Sequence, residues 1–168
     1  MSSPTSVDAA RIRAAYGRIR AEVGEGTTVV AATKYFSLEQ MDALAGAGVE
    51  VVGENRAQDL GQKHERYGDR FRWHFIGHLQ SRKAKDVSAL CELCHSLASL
   101  SAARRLAIPA LVEVNLSGEE SKSGVPRGRL AAFLDEVREL SMGTSQDYRV
   151  AAEEGATLVR VGSVLLGR

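Results

Sequence analysis

Stretches that are apolar on both faces alternate with stretches of helical spacing along nearly the whole chain, and this alternation constrains the fold more than any other feature. Thr27 to Thr33 is the clearest case: Val29-Val30-Ala31-Ala32 leaves no polar face to show to water. A strand covered on both sides belongs to a parallel sheet with helices packed on it. The segment before it is helical. Ser6 can cap it, and Ile12, Tyr16, Ile19 and Val23 recur at spacings of four, three and four.

The same unit then repeats. Leu38 to Ala47 reads as a helix and Val49 to Gly53 as a strand. Glu54 to Tyr67 reads as a polar helix, Arg72 to Gly77 as a strand and Leu79 to Asp86 as a short helix. Ala89 to Leu97 is a predicted strand, Ala98 to Ala107 a helix and Ile108 to Asn115 a strand. Ser117 to Gly124 is a polar loop, and Pro126 opens a helix running to about Glu139. A weak strand at Leu140 to Gly143, a helix at Gln146 to Glu154 and a strand at Ala156 to Val161 complete the series. Strict alternation predicts an α/β fold with a parallel sheet, either open or closed into a barrel. No linker divides the chain, so a single domain over residues 1–168 is expected. In both architectures chemistry belongs at the C-terminal ends of the strands.

Composition narrows the function classes. The chain is 44% hydrophobic, enough to bury a core, and its 22 basic and 21 acidic residues nearly balance. Bulk charge therefore gives no sign of nucleic-acid binding. Arg82, Lys83 and Lys85 form a small basic cluster without interleaved aromatics, whose default role is a solvated helix face. No run approaches the ~20 apolar residues of a membrane helix. Met1 to Asp8 lacks the pattern of a secretory signal, so a cytoplasmic location is expected.

Several residues at strand ends could carry chemistry. Lys34 closes the first strand. Enclosed by small apolar groups, its amine would be made nucleophilic and suited to a Schiff base with an aldehyde. The commoner role of a lysine there is to leave the strand into water. Arg160 lies inside Leu158-Val159-Arg160-Val161 and must have an acceptor, since its charge cannot be lost. Glu50 or Glu113, both in predicted strands, could pair with it, or it could address a ligand atom.

Ser141-Met142-Gly143-Thr144-Ser145 and Gly162-Ser163 could each hold an anion on free backbone N–H groups, although Thr144 and Asp147 also fit ordinary capping. Asn55 and Asn115 follow strand ends, where Asn55 could simply cap the next helix. His74 and His78 could move a proton, stack on a ring or be structural. No Walker A sequence is present, and Gly46-x-Gly48 lacks the third glycine of a dinucleotide fingerprint.

Cys91-Glu92-Leu93-Cys94-His95 has the form of a c-type haem attachment site. It falls in a strand-like run, where residues three apart face opposite ways. Two buried free thiols are expected instead.

Taken together, these motifs resemble the pyridoxal phosphate homeostasis protein family. The resemblance is carried by Val30-Ala31-Ala32-Thr33-Lys34, by Gly53-Glu54-Asn55-Arg56-Ala57-Gln58 and by His74-Phe75-Ile76-Gly77-His78-Leu79-Gln80. Asn115 to Gly124, Leu140-Ser141-Met142-Gly143 and Val159-Arg160-Val161-Gly162 complete the set, in family order.

It implies a TIM-type (β/α)8 barrel of PLP fold type III, like the N-terminal domain of alanine racemase, binding pyridoxal 5′-phosphate. It also implies roles. Lys34 would be the Schiff-base lysine and Arg160 would face the pyridine nitrogen. Ser141, Met142, Gly143, Gly162 and Ser163 would hold the phosphate, and Asn55 and His74 would line the ring. A fixed cation opposite the pyridine nitrogen weakens the ring as an electron sink. The resemblance thus implies a monomeric carrier in PLP homeostasis rather than an enzyme, with apo PLP-dependent enzymes as recipients and no nucleic acid or membrane partner. The alternative is an amino-acid racemase of the same fold. Racemisation needs a second acid/base on the opposite face, which a tyrosine from a second domain supplies in alanine racemase.

The chain departs from the family in length. It has six clear strands and at most seven, against eight in a barrel. Family members carry a further strand and helix between Glu139 and Leu140, and the stretch from Leu100 to Pro109 is also short. One strand–helix unit is therefore expected to be lacking.

Overall fold

The computed structural model describes residues 8–115, 123–126, 130, 158–161 and 165. The first helix, α1 (Ala9–Val23), is capped by Asp8, whose carboxylate accepts the Ala10 N–H at 2.8 Å; Ser6 lies outside the described residues. Its buried stripe is Ile12, Ala15, Tyr16, Ile19 and Val23, and Gly24 ends it with φ 80°. A left-handed φ stops a helix cheaply only at glycine. There follow β1 (Thr28–Ala32), α2 (Met41–Gly46), β2 (Val51–Glu54), α3 (Ala57–Tyr67), β3 (Arg72–Phe75), α4 (Ala84–Leu90) and β4 (Leu93–Leu97). Then come α5 (Leu100–Ala103), β5 (Ala110–Val112), the short parallel pair β6 (Val114–Asn115) and β7 (Val125–Pro126), and β8 (Leu158–Val161).

Among the described residues six strands form one parallel sheet in the order β5-β4-β3-β2-β1-β8. The sheet is curled like one side of a barrel, with β5 and β8 at its edges among the described residues. Its two faces are both apolar, as the sequence requires. Val29, Ala31, Val52, Trp73, Phe75 and Cys94 pack towards the helices, against Ile12, Ile19, Leu44, Leu60 and Val87. Val30, Val51, Leu93 and Leu111 form a second cluster. Successive residues of one strand alternate between the two clusters, the period-two signature of a strand buried on both sides. Gly53 is small for a packing reason: a Cβ there would stand 2.9 Å from Ile76 and 3.0 Å from Val30.

Several boundaries move. The strand expected from Ala89 begins only at Leu93, because α4 runs on through Leu90. Ala89-Leu90 is too short an apolar run to tell the two periods apart, and the Ala84–Val87 spacing of three wins. The helix α3 starts at Ala57 rather than Glu54, since Glu54 completes β2. Glu50 and Glu113, expected in strands as partners for Arg160, both fall just outside them, and Glu50 is exposed. Glu113 accepts the Ser123 hydroxyl at 2.7 Å. Pro126 pairs in β7 with Asn115. The expected helix to Glu139, the weak strand at Leu140 to Gly143 and the helix at Gln146 to Glu154 lie outside the described residues or nearly so. No described helix is long and apolar enough to cross a membrane.

Candidate functional site

Parallel strands all end on one side, so the residues following β1 to β4 meet at a common rim. At the end of β1 the chain turns through a 3-10 segment, Thr33–Tyr35. Thr33 is fully buried, Phe36 is 4% exposed, and Lys34 between them points into solvent. Its ammonium lies 4.8 Å from the centre of the Tyr35 ring. The enclosure by small apolar groups that would activate Lys34 is thus not found. The strand ends one residue too early for it.

At the end of β2 stands Glu54, buried completely. One carboxylate oxygen accepts the Thr33 hydroxyl at 2.7 Å and the Lys63 ammonium; the other accepts the Asn55 N–H at 3.2 Å. Lys63 comes from α3 and also donates to the Thr33 carbonyl at 2.8 Å. Asn55 does not cap α3, whose first turn has no side-chain cap. Its Oδ1 is buried without a hydrogen-bond partner among the described residues. A buried acceptor left unpaired costs roughly 1–3 kcal/mol. Next to it Gly77 is indispensable: a Cβ there would sit 2.0 Å from the Asn55 carbonyl oxygen.

Between neighbouring β3 and β4 two imidazoles meet. His95 Nε2 and His74 Nδ1 are 2.9 Å apart, with ring centres separated by 5.0 Å. Burial pushes the His74 pKa down to about 4, so it is neutral near pH 7 and one proton is shared between the facing nitrogens. Ser96 donates to the Gly77 carbonyl, tying β4 to the exit of β3. His78 is exposed and lines an open groove of about 470 Å³ with Asn55, Arg56, Phe75 and Arg82.

Cys91 and Cys94 are buried and free, as expected. Burial raises the Cys91 thiol to about 12, which makes it a poor nucleophile. No group of three His, Cys, Asp or Glu side chains among the described residues could hold a metal ion.

Of the expected site residues, Lys34, Asn55 and His74 fall at the ends of three consecutive strands. Arg160 lies in β8, the neighbour of β1 on the other side, in register with Val30. Ser141, Met142, Gly143, Gly162 and Ser163 lie outside the described residues. Three site-lining groups escaped the sequence reading. His95 was visible only within the Cys-x-x-Cys-His run. Glu54 was assigned to a polar helix. Lys63 had a signal: with Leu60 and Tyr67 it falls on the buried stripe of α3, at spacings of three and four.

No protein-family model matches the chain. Curated relatives do. It is 31% identical to the pyridoxal phosphate homeostasis protein of Aquifex aeolicus, over 88% of this chain and 90% of that protein. To the protein of the same name from Pseudomonas aeruginosa it is 31% identical, over 95% of this chain and 91% of that one. This chain belongs to the pyridoxal phosphate homeostasis protein family. The two alignments run over 205 and 214 positions, more than the 168 residues available, so these relatives carry residues that this family member lacks.

Among solved structures, PipY of Synechococcus elongatus superposes with a TM-score of 0.84 at 24% identity, over 93% of this chain and 100% of that one. Alanine racemase from Corynebacterium glutamicum gives a TM-score of 0.74 at 11% identity, with 95% of this chain on 60% of that one. Both show the fold, and the half-barrel is a shortened form of it.

Proposed function

We propose that this family member binds pyridoxal 5′-phosphate at the common rim of β8, β1, β2 and β3 and holds it reversibly, as a carrier in PLP homeostasis. The observation that carries the reading is the strand order, which sets Arg160, Lys34, Asn55 and His74 on or just after four neighbouring parallel strands. A PLP-bound structure of PipY exists, and this chain matches that fold with a TM-score of 0.83.

The described residues fit such a group. Lys34 supplies an exposed amine on a turn whose flanking residues are buried. The buried Asn55 oxygen lacks a donor among the described residues, and a ring hydroxyl is of the class that would provide one. Gly77 lets the backbone approach Asn55 closely. His74, kept neutral, adds a flat apolar ring without a competing charge. The aldehyde supplies an electrophile that condenses reversibly with a primary amine. Lys34 offers that amine. Arg160 would hold the pyridine nitrogen unprotonated, and Ser141, Met142, Gly143, Gly162 and Ser163 would bind the phosphate through backbone N–H and hydroxyl groups. Apo PLP-dependent enzymes are the recipients this reading calls for, and the carrier is monomeric in it.

The test is a titration of the purified protein with pyridoxal 5′-phosphate, followed by visible absorbance. The wild type gains a band that Lys34→Ala lacks. Equal bands in both proteins, or none in either, refute the reading. Turnover of alanine that disappears with Lys34 would favour a racemase instead.

A further inference from the structure

Beneath the rim, a completely buried carboxylate and a nearly buried ammonium meet away from any exposed surface. Their side chains are 0% and 9% exposed. A buried ion pair is a poor device for stability, because desolvating both charges cancels most of their attraction. Its contacts suggest another use. Glu54 accepts from the Thr33 hydroxyl at 2.7 Å and from the Asn55 N–H at 3.2 Å, and so binds the residue before Lys34 and the backbone of Asn55 at once. Lys63 reaches from α3 to the Thr33 carbonyl, at 2.8 Å. That same carbonyl accepts the Phe36 N–H at 2.9 Å, the bond that closes the turn carrying Lys34. Both ends of this turn are therefore buried, Thr33 is tied to the ion pair directly and Phe36 through the Thr33 carbonyl, while Lys34 itself makes a ring contact with Tyr35.

We infer that Glu54 and Lys63 are positioning residues, a buried clamp that locks the Lys34 turn and the Asn55 peptide in the geometry the cofactor needs. The inference rests on the proposed function for its purpose, but not for the clamp itself. A bare turn of three residues at a strand end samples several conformations, and an amine on it would meet its electrophile in only some of them. Cross-linking the turn to β2 and α3 removes those alternatives before binding, which is how preorganisation raises affinity.

The test uses the paired substitution Glu54→Leu with Lys63→Met. It removes both charges together and leaves no buried ion unpaired. The Thr33 hydroxyl keeps the Gly53 carbonyl, 3.1 Å away, and the Thr33 carbonyl keeps Phe36. Thermal unfolding verifies that the variant folds; Glu54→Gln with Lys63→Gln is the second variant should the first fail to do so. Amide hydrogen exchange on the cofactor-free protein is then compared with the wild type. Exchange at Phe36 and Asn55 should rise roughly tenfold, the loss expected for a charge-assisted hydrogen bond. Cys91, bonded to Val87 in α4, should be unchanged. Pyridoxal 5′-phosphate retention should weaken by a comparable factor, and Glu54→Asp should not restore it, since the shorter side chain cannot reach all three donors.

Unchanged exchange at Phe36 and Asn55 overturns the clamp, whether or not the cofactor binds. Faster exchange with unchanged retention by both proteins overturns its positioning role. A wild type that takes up no cofactor while the variant still exchanges faster at these two amides refutes the function proposed above and leaves the clamp standing.

Discussion

The two halves of the rim are held by different electrostatic means. Between β1 and β2 the fixing element is charged: Glu54 and Lys63, with Thr33 and Asn55 hung on them. Between β3 and β4 it is an imidazole pair, His74 on His95, in which burial keeps His74 neutral. The charged half can cross-link three elements because a carboxylate accepts several bonds and an ammonium donates three. The imidazole pair joins β3 to β4 through one shared proton. The difference suggests a division of labour. In the proposed function the first half aims an amine and is tied down from several directions, and the second offers the ring of a neutral His74.

The largest effect expected is from breaking the charged half on one side only. Glu54→Ala leaves the Lys63 ammonium buried without its carboxylate, which should cost about 3–5 kcal/mol in urea unfolding. The paired Leu/Met variant should lose far less. A small loss in the single variant would mean that water already reaches this site.

The imidazole half responds to pH instead. The unfolded chain takes up a proton on His74 near 6.5, the folded protein only near 4. The unfolded state therefore binds more protons between these values, and stability falls as pH drops through that window. The full loss is about 3.5 kcal/mol, since the two values lie about 2.5 apart and each whole step is worth ~1.4 kcal/mol. Glu92 opposes the shift and Arg72 reinforces it, with burial the largest cause. His74→Gln should flatten the slope between pH 4 and 6.5 relative to the wild type in denaturant titrations. An unaltered slope would contradict a buried neutral His74.

The smallest effect belongs to an ion pair of the same chemistry placed in water. Arg72 at the start of β3 and Glu92 just before β4 meet at 2.9 Å, but their side chains are 58% and 50% exposed. Arg72→Ala should therefore cost under ~1 kcal/mol, and less with added salt. A loss equal to that of Glu54→Ala would remove burial as the reason the two pairs differ.

These contrasts also mark what was readable in the sequence. The sheet strands were legible because Val29-Val30-Ala31 and Val51-Val52 are apolar on both faces, a pattern that few other structures produce. The positions of Lys34 and Asn55 were legible because each closely follows an apolar run that reads as a strand. The degree of burial was not. Lys34 lies outside the apolar layer and Lys63 inside it, although the first follows a predicted apolar strand and the second sits within a predicted polar helix. Only the stripe Leu60-Lys63-Tyr67 distinguishes the second, and it becomes informative once Glu54 is known to end β2 on the helix-facing side. His95 was hidden because its meaning depends on β3 and β4 being neighbours, a non-local fact. Relatives carrying residues absent here agree with the strand–helix unit that the sequence lacks.

The central claim is that the Lys34 amine, and no other, tethers the cofactor. Borohydride reduction of the protein loaded with pyridoxal 5′-phosphate, followed by peptide mapping, tests it most directly. The account predicts a single fluorescent pyridoxyl label on the peptide containing Lys34, and none on Lys63. A label confined to Lys63, Lys83 or another lysine, or no label at all, would contradict it.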